Sequence, residues 1–167
     1  CVADILQVND VVFLEGGTTQ LEIAKSIRNK NITVITAALN IAMVLAESTS
    51  VTTIVLGGCI WAGTYFLVGD MVDMNMKNMH FNYYISSPGA IMPDGRLIYH
   101  NIQLSNMRSQ GMSLADNVVI AVDSSKFGTS GFFSNGYLKD VDMLISDKVP
   151  EAYQKLMSDK GRIIIAE

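Results

Sequence analysis

The sequence is poor in the residues that build metal centres and disulfide frameworks. It holds 2 cysteines and 2 histidines in 167 residues. Cys1 and Cys59 show neither metal-ligand nor Cys-x-x-Cys spacing, and lone thiols of this kind are typical of a reducing cytoplasm. His80 and His100 are isolated from one another and from other ligands, which favours structural or exposed roles over catalytic ones. The sequence therefore predicts neither a metal nor a cofactor.

Charge is also scarce, and it is negative on balance. Charged residues make up 17% of the chain, with a net charge of −4 at pH 7. Duplex DNA binding rests on clustered Lys and Arg, so this chain is not expected to hold DNA by itself. No run reaches the ~20 apolar residues that a membrane-spanning helix needs, and the first residues lack the features of a signal peptide. With 49% hydrophobic residues, the composition predicts one cytoplasmic domain over residues 1–167 and no membrane partner.

Short runs rich in Val and Ile alternate with longer segments of helical periodicity. The runs predicted as strands are 11–14, 32–36, 52–56, 81–86, 117–122, 142–146 and 162–166, and the predicted helices lie near 18–29, 39–48, 70–79, 101–115 and 150–160. The strands are apolar throughout, as in sheets covered on both faces. The alternation predicts an α/β fold, a Rossmann-like and mostly parallel sheet flanked by helices. The opening residues resemble the tail of a helix already under way.

One strand-to-helix loop has a composition that suits an anion. Residues 15–19 read Glu-Gly-Gly-Thr-Thr, and ligands of open α/β sheets bind outside the carboxyl ends of the strands. Gly16 and Gly17 permit a positive φ and a close approach of the backbone to a ligand. The helix start offers unpaired N–H groups, and Thr18 and Thr19 add hydroxyls or a helix cap. The loop is consistent with phosphate binding or with a tight turn that holds no ligand.

Three further loops follow predicted strands. Thr36 faces the ligand or caps the next helix, and Gly57 with Gly58 approaches a ligand or forms a turn. Lys126 lies in an Asp-Ser-Ser-Lys-Phe-Gly loop over 123–128, where it pairs with a phosphate as a point charge or is an ordinary surface lysine. Sequential strands of a doubly wound sheet bring such loops to one edge, so the sequence predicts a shared anion site.

Four methionines crowd residues 71–79. An unbranched thioether side chain adapts to irregular surroundings, so such a cluster forms an adaptable binding surface, fills a core or lines a subunit interface. The sequence favours the core or the subunit interface.

Together these segments resemble the C-terminal effector-binding domain of DeoR-family repressors. The matching motifs include Gly-Thr-Thr at 17–19, Leu-Gly-Gly at 56–58 and the loop at 123–128, and they run from about residue 3 to the last strand. The resemblance implies a fold similar to ribose-5-phosphate isomerase and coenzyme A transferases, and a phosphorylated sugar as effector. It also implies a winged helix-turn-helix head that binds operator DNA and is absent from this chain. Because operator half-sites are usually paired, a homodimer or tetramer is expected.

Departures from related enzymes favour a sensor. Where the isomerases carry Asp-Gly-x-Asp, this chain reads Pro88-Gly89-Ala90-Ile91, and Leu104 stands where many family members have Glu. Isomerisation needs a base to move a proton between adjacent carbons, and leucine cannot act as one. The alternatives are an isomerase-like enzyme and a domain that only oligomerises.

The predicted site has no catalytic or metal-binding residue. In it the phosphate lies against residues 16–19 and Lys126, while the other members shape the sugar end. Ala37 after Thr36, where the family commonly has Thr-Asn, and Glu15 before Gly16, where it usually has Asp, indicate a specialised effector. The predicted ligand-binding residues are Gly16, Gly17, Thr18, Thr19, Thr36, Gly57, Gly58, Ser87, Gly89, Asn101, Asp123 and Lys126.

Overall fold

A computed structural model describes residues 1–128 and 130–166. The strands, in chain order, are β1 (Val11–Leu14), β2 (Thr33–Thr36), β3 (Thr52–Val55), β4 (Cys59–Ile60), β5 (Leu67–Val68), β6 (Phe81–Ser86), β7 (Ala90–Ile91), β8 (Arg96–Tyr99), β9 (Ala115–Ala121), β10 (Phe133–Tyr137), β11 (Met143–Ser146) and β12 (Arg162–Ile165). The helices are α1 (Val2–Ile5), α2 (Thr18–Ile27), α3 (Leu39–Ala46), α4 (Asp70–Met76), α5 (Ser105–Ser113) and α6 (Glu151–Gln154).

Seven parallel strands form the central sheet, in the order β12-β11-β9-β6-β1-β2-β3. The predicted α/β fold is confirmed, and each of the seven predicted runs overlaps one of these strands. The chain winds outward from β1 to β2 and β3, then returns to β6 on the other side of β1. The sheet therefore has a topological switch point between β1 and β6, the place where ligands bind in open α/β folds.

Each face of the sheet carries its own hydrophobic core. On one face Phe13 packs against Phe81 and Tyr84, with ring centroids 5.3 and 5.6 Å apart, and buried residues of α4 and α5 cover them. On the other face, α2 and α3 bury their apolar residues, such as Ile27 and Ile41, against β1 and β2. This two-sided cover accounts for the continuously apolar runs in the sequence.

The edge strand β3 departs from the prediction that the strands are covered on both faces. Thr52, Ile54 and Val55 are exposed. β3 is the edge strand of the described sheet and pairs with β2 alone. Side chains of a neighbouring strand therefore flank it on one side only.

Two small sheets lie outside the predicted elements. Strands β4 and β5 form a hairpin, and β10-β8-β7 form a three-stranded antiparallel sheet. Strands of two residues, such as β4, β5 and β7, are too short to show a period of two in the sequence.

The helices are shorter than predicted, and several begin or end at other residues than those predicted. The last helix spans only Glu151–Gln154, and a 3₁₀ turn at Ile102–Leu104 replaces the start of the helix predicted at 101–115. Helix α2 begins after Gly17 without a side-chain cap, so neither Thr18 nor Thr19 caps it. None of the helices in the described residues is long and apolar enough to cross a membrane.

The methionines of 71–79 divide between core and surface. Met76, the last residue of α4, is buried in the core. Met79 packs against that core, whereas Met71 and Met74 are exposed. The segment is thus neither wholly core nor wholly surface.

Candidate functional site

A cavity of about 170 Å³ lies at the switch point, where the carboxyl ends of β1 and β6 meet the loop after β9. Eight of the predicted site residues line it. The lining residues are Gly16, Gly17, Thr18, Thr19, Gln20, Ser87, Pro88, Gly89, Asp123 and Lys126.

The two glycines after β1 are required by the backbone and by the space around them. Gly16 and Gly17 have φ of 149° and 112°, a region that side chains disfavour. A Cβ atom on Gly16 would lie 2.5 Å from a ring carbon of Phe66. The first helical bond of α2 runs from the Leu21 N–H to the Gly17 carbonyl at 3.0 Å. The N–H groups of residues 18–20 therefore have no acceptor within the helix and stand at its positive end.

Gln20 connects the loops on either side of the cavity. It is fully buried, and with its amide oriented to satisfy both neighbours it donates to the Gly16 carbonyl at 2.8 Å and accepts from the Ser87 N–H at 2.7 Å. Sequence reasoning missed this residue. Gln20 occupies the buried face of α2 together with Ile23, Ala24 and Ile27, so a polar residue at an apolar position was the available signal.

The loop after β9 supplies charges of both signs. Asp123 precedes the 3₁₀ turn Ser124–Lys126 and accepts hydrogen bonds from the Ser125 N–H, at 3.0 Å, and from the Ser125 hydroxyl. The hydroxyl bond, followed by the N–H bond and the Lys126 charge, holds the pKa of Asp123 below its ordinary 3.8 despite partial desolvation. Asp123 is therefore ionised at neutral pH. An ionised carboxylate accepts hydrogen bonds from hydroxyl groups, whereas Lys126 attracts an anion.

Ser124 fastens the same loop to the end of β11. Its N–H and its hydroxyl donate to the two carboxylate oxygens of Asp147 at 2.6 and 2.8 Å. The hydroxyl bond is the largest cause of the lowered pKa of Asp147, and the N–H bond follows.

Replacing Ser124 by alanine is expected to raise the pKa of Asp147 toward the ordinary 3.8, because the larger of these two stabilising bonds is lost. A carboxylate with a lowered pKa contributes stability that is present above 3.8 and is lost as the pH falls through its folded pKa. The variant should therefore lose the part of this contribution that the hydroxyl bond supplies at neutral pH. Carboxyl NMR titration measures the shift, with Asp94 as internal control because Arg96 holds its pKa down. An unchanged Asp147 pKa would contradict the assignment.

Four predicted residues do not line the cavity. The buried Thr36 hydroxyl accepts the Ala38 N–H at 3.0 Å in the turn before α3, so it supports the start of that helix instead. Gly57 lies against Asn75, and a Cβ atom on Gly58 would come within 2.9 Å of the Val68 carbonyl oxygen. These two glycines lie in the irregular link between β3 and β4 and pack closely against β5 and α4, rather than at the cavity.

Asn101, the fourth of these residues, binds Arg108. The Asn101 backbone carbonyl accepts from one guanidinium nitrogen of Arg108 at 2.8 Å, and its side-chain oxygen accepts from another. Asn101 therefore positions a buried cation behind the cavity.

That cation belongs to a buried ion pair that sequence reasoning missed. Arg108 Nε lies 2.7 Å from Glu15 Oε1, and the two side chains are 4% and 3% exposed. The guanidinium also lies 3.9 Å above the ring centroid of Tyr99. A charge this deeply buried is tolerated only with partners of this kind. Glu15 directly precedes Gly16, so the pair fixes the base of the cavity loop.

Three hydroxyls complete the network. Tyr84 donates to Glu15 Oε2 at 3.0 Å, Ser86 donates to the same oxygen, and the hydroxyl groups of Ser86 and Tyr99 are 2.9 Å apart. Burial first, and then the Glu15 charge, raises the pKa of both tyrosines above 10.0, so both remain protonated donors. We name Glu15, Tyr84, Ser86, Tyr99 and Arg108 the buried network. It joins β1, β6, β8 and α5 beneath the cavity.

A sequence profile described as "DeoR C terminal sensor domain" matches residues 1–148. The chain belongs to this family.

Among relatives of this DeoR sensor domain, the HTH-type transcriptional repressor CsqR of Escherichia coli is 26% identical over 165 residues, which cover 98% of this chain and 63% of the relative. HTH-type transcriptional repressor GlcR of Bacillus subtilis is 28% identical over 160 residues, 95% of this chain and 62% of the relative. The lactose phosphotransferase system repressor of Streptococcus mutans is 26% identical over 147 residues, which cover 87% of this chain and 58% of the relative. The chain thus spans about three fifths of these relatives.

Solved structures share the fold of the DeoR sensor domain at low identity. Ribose 5-phosphate isomerase from Plasmodium falciparum matches with a TM-score of 0.53 and 18% identity, over 78% of this chain and 50% of that one. Translation initiation factor eIF-2B from Pyrococcus horikoshii OT3 matches with a TM-score of 0.56 and 16% identity, over 85% and 58%. The predicted resemblance to the isomerase fold and to DeoR repressors is confirmed.

In the DeoR sensor domain, the position predicted to replace the isomerase base lies in the core. Leu104 is buried among the residues beneath α5 and does not line the cavity. Pro88, at the start of the segment that replaces the Asp-Gly-x-Asp motif, does line the cavity, and it offers no titratable group.

Proposed function

We propose that this sensor domain binds a phosphorylated sugar without converting it, and that binding alters operator affinity in an intact regulator of sugar metabolism. The observation that carries the proposal is the convergence of the α2 N-terminus and Lys126 on one cavity at the switch point. Unpaired backbone N–H groups with a nearby ammonium are a favourable combination for a phosphate dianion.

The other lining groups suit the sugar end of such a ligand. The ionised Asp123 is a strong acceptor for hydroxyl groups and would repel the phosphate, so it favours one orientation of the ligand. The side chains of Ser87 and Thr19 add hydroxyls at the same cavity. Phosphate binding at residues 16–19 and Lys126, with sugar hydroxyls toward Asp123, therefore satisfies both ends of the ligand.

The chemistry of the cavity argues against turnover. Asp123 is the one carboxylate among the lining residues of the described chain, and its lowered pKa makes it a weak base at neutral pH. The named relatives are transcriptional repressors, and one of them is a repressor of a lactose phosphotransferase system. Both points support a sensor in preference to an isomerase.

Operator binding is proposed for the intact regulator rather than for this chain. The net charge of −4 does not suit contact with DNA phosphates. We further propose that the regulator acts in the cytoplasm as a dimer or tetramer. A ligand changes operator affinity only through different affinities for two states of the protein, a coupling that is typically about 1–3 kcal/mol.

A thermal-denaturation panel of sugar phosphates, each beside its unphosphorylated parent sugar, tests the proposal. At about 100 times its dissociation constant, a ligand stabilises the fold by about 2.7 kcal/mol. For a chain of this size, that should raise the midpoint by roughly 5–11 °C. The expected result is a rise with one phosphate ester and none with its parent sugar. Equal shifts with ester and parent, or no shift with any ester, would contradict the proposal.

A further inference from the structure

We propose that the exposed edge strand β3 pairs with β3 of a second copy of this chain, antiparallel and across a two-fold axis, so that the two sheets continue into one. This inference rests on the dimer or tetramer proposed above and specifies its contact, but it does not depend on the sugar phosphate.

The main chain of β3 has hydrogen-bonding groups directed away from the sheet. The N–H groups of Thr52 and Leu56 donate to carbonyls of Ile32 and Thr36 on the β2 side at 3.0 Å each. Because successive residues of a strand alternate in direction, the N–H and C=O groups of Thr53 and Val55 point to the outer side. An edge of this kind is a template for another strand.

The chemistry of this edge is that of an interface. Residues 48–69 contain no Asp, Glu, Lys or Arg, the longest uncharged stretch of the chain. Ile54 and Val55 are 40% and 43% exposed, and Met43 of α3 is exposed beside Val55 in a shared groove. The core of an interface is more apolar than ordinary surface, depleted of charged residues and enriched in Met.

The opposite edge of the same sheet provides the contrast. Strand β12 is the other edge strand. It begins with Arg162, and Asp159 and Lys160 lie just before it in the chain. Natural sheets protect exposed edges with charges of this kind. β3 lacks that protection, although the two strands have the same length.

A second copy is the occupant that these observations favour. Each copy carries a net charge of −4, so two copies repel unless they meet across an uncharged surface, and residues 48–69 supply one. A partner selected by complementary charge would find none in this stretch. A two-fold interface also requires a patch that matches itself. With the axis at Ile54, the outer groups of Thr53 face those of Val55 in the second copy, and Ile54 faces its own copy.

Sedimentation velocity on the 167-residue chain and on Ile54→Lys tests the pairing. The wild type is expected to be a dimer at micromolar concentration, and the variant should dissociate at least about 100-fold more readily because two lysines would face each other. Ile165→Lys is the matched control, since Ile165 lies on β12 and is 53% exposed. It should remain dimeric. Circular dichroism checks that both variants fold. A wild-type monomer at every concentration, or a dimeric Ile54→Lys, would overturn the proposal.

Disulfide cross-linking tests the pairing without introducing a charged residue into the strand. Directly opposed residues of a non-hydrogen-bonded antiparallel pair have Cα atoms about 4.5 Å apart, within the range for a disulfide. With the exposed Cys1 and Cys59 changed to serine, Ile54→Cys should form a covalent dimer on mild oxidation, and Ile165→Cys should not. Equal cross-linking of both variants would indicate random collision and would overturn the pairing.

Discussion

Replacing Arg108 by methionine is expected to lower the free energy of unfolding by about 3–5 kcal/mol. The substitution leaves the Glu15 carboxylate buried without its cation, since Arg108 Nε lies 2.7 Å away and both side chains are nearly inaccessible. The hydroxyls of Tyr84 and Ser86 still donate to Glu15, but they carry no positive charge. For a chain of this length, the thermal midpoint should fall by roughly 6–20 °C.

Two further variants distinguish the cost of a buried unpaired charge from the cost of replacing an arginine by methionine. Arg96→Met breaks the exposed pair with Asp94 and is expected to cost less than about 1 kcal/mol. The double variant Glu15→Gln with Arg108→Met should recover much of the stability lost in the single variant, because no unpaired charge remains and the amide oxygen still accepts hydrogen bonds. Denaturant unfolding measures all three. An Arg108→Met variant that loses no more unfolding free energy than Arg96→Met would contradict the role of the buried ion pair.

The buried network also connects stability to ligand binding. Glu15 precedes Gly16, and Ser86 precedes Ser87, so two members of the network are next to residues that line the cavity. Tyr99 brings in β8 of the three-stranded sheet through its bond to Ser86. Loss of the ion pair is therefore expected to disturb the cavity loops as well as the core.

The sheet was predictable because its determinants are local. Each of the five strands between the edges of the sheet is a short apolar run with cover on both faces, and such a run is recognisable in one sequence. The length of the last helix and the strands of the small sheets were not predictable, because elements of two to five residues are specified by their neighbours. The position of β3 at an edge depends on strand order, which no local pattern encodes.

The candidate site was predictable where backbone geometry demands a residue type. Gly16 and Gly17 were identified because the turn into α2 needs positive φ, and Lys126 because its loop follows a central strand. Glu15 and Arg108 are 93 residues apart in the chain, and only the fold brings them together. Gly57 and Gly58 were assigned to the site wrongly, since close packing between elements needs glycine as much as a ligand site does.

Charge reversal at Lys126 is expected to abolish the selectivity for a phosphate ester over its parent sugar. A hydrogen bond to a charged group contributes about 1.5–3 kcal/mol, so Lys126→Met should weaken binding of the ester roughly 10–100-fold. Lys126→Glu should weaken it further, because a second carboxylate would then lie beside Asp123 at the phosphate position. Affinity for the parent sugar should change little in either variant, since it lacks the dianion that Lys126 attracts.

Lys160→Glu is the matched control for this experiment. It changes the net charge by the same amount, but residue 160 precedes β12 and so lies at the amino ends of the strands, away from the cavity. Isothermal titration with the ester that gives the largest thermal shift, at two salt concentrations, measures the effect, because a direct ion pair in a cavity is screened less than long-range attraction. If Lys160→Glu weakens binding as much as Lys126→Glu, the effect of Lys126 is that of overall charge, and the phosphate must bind elsewhere.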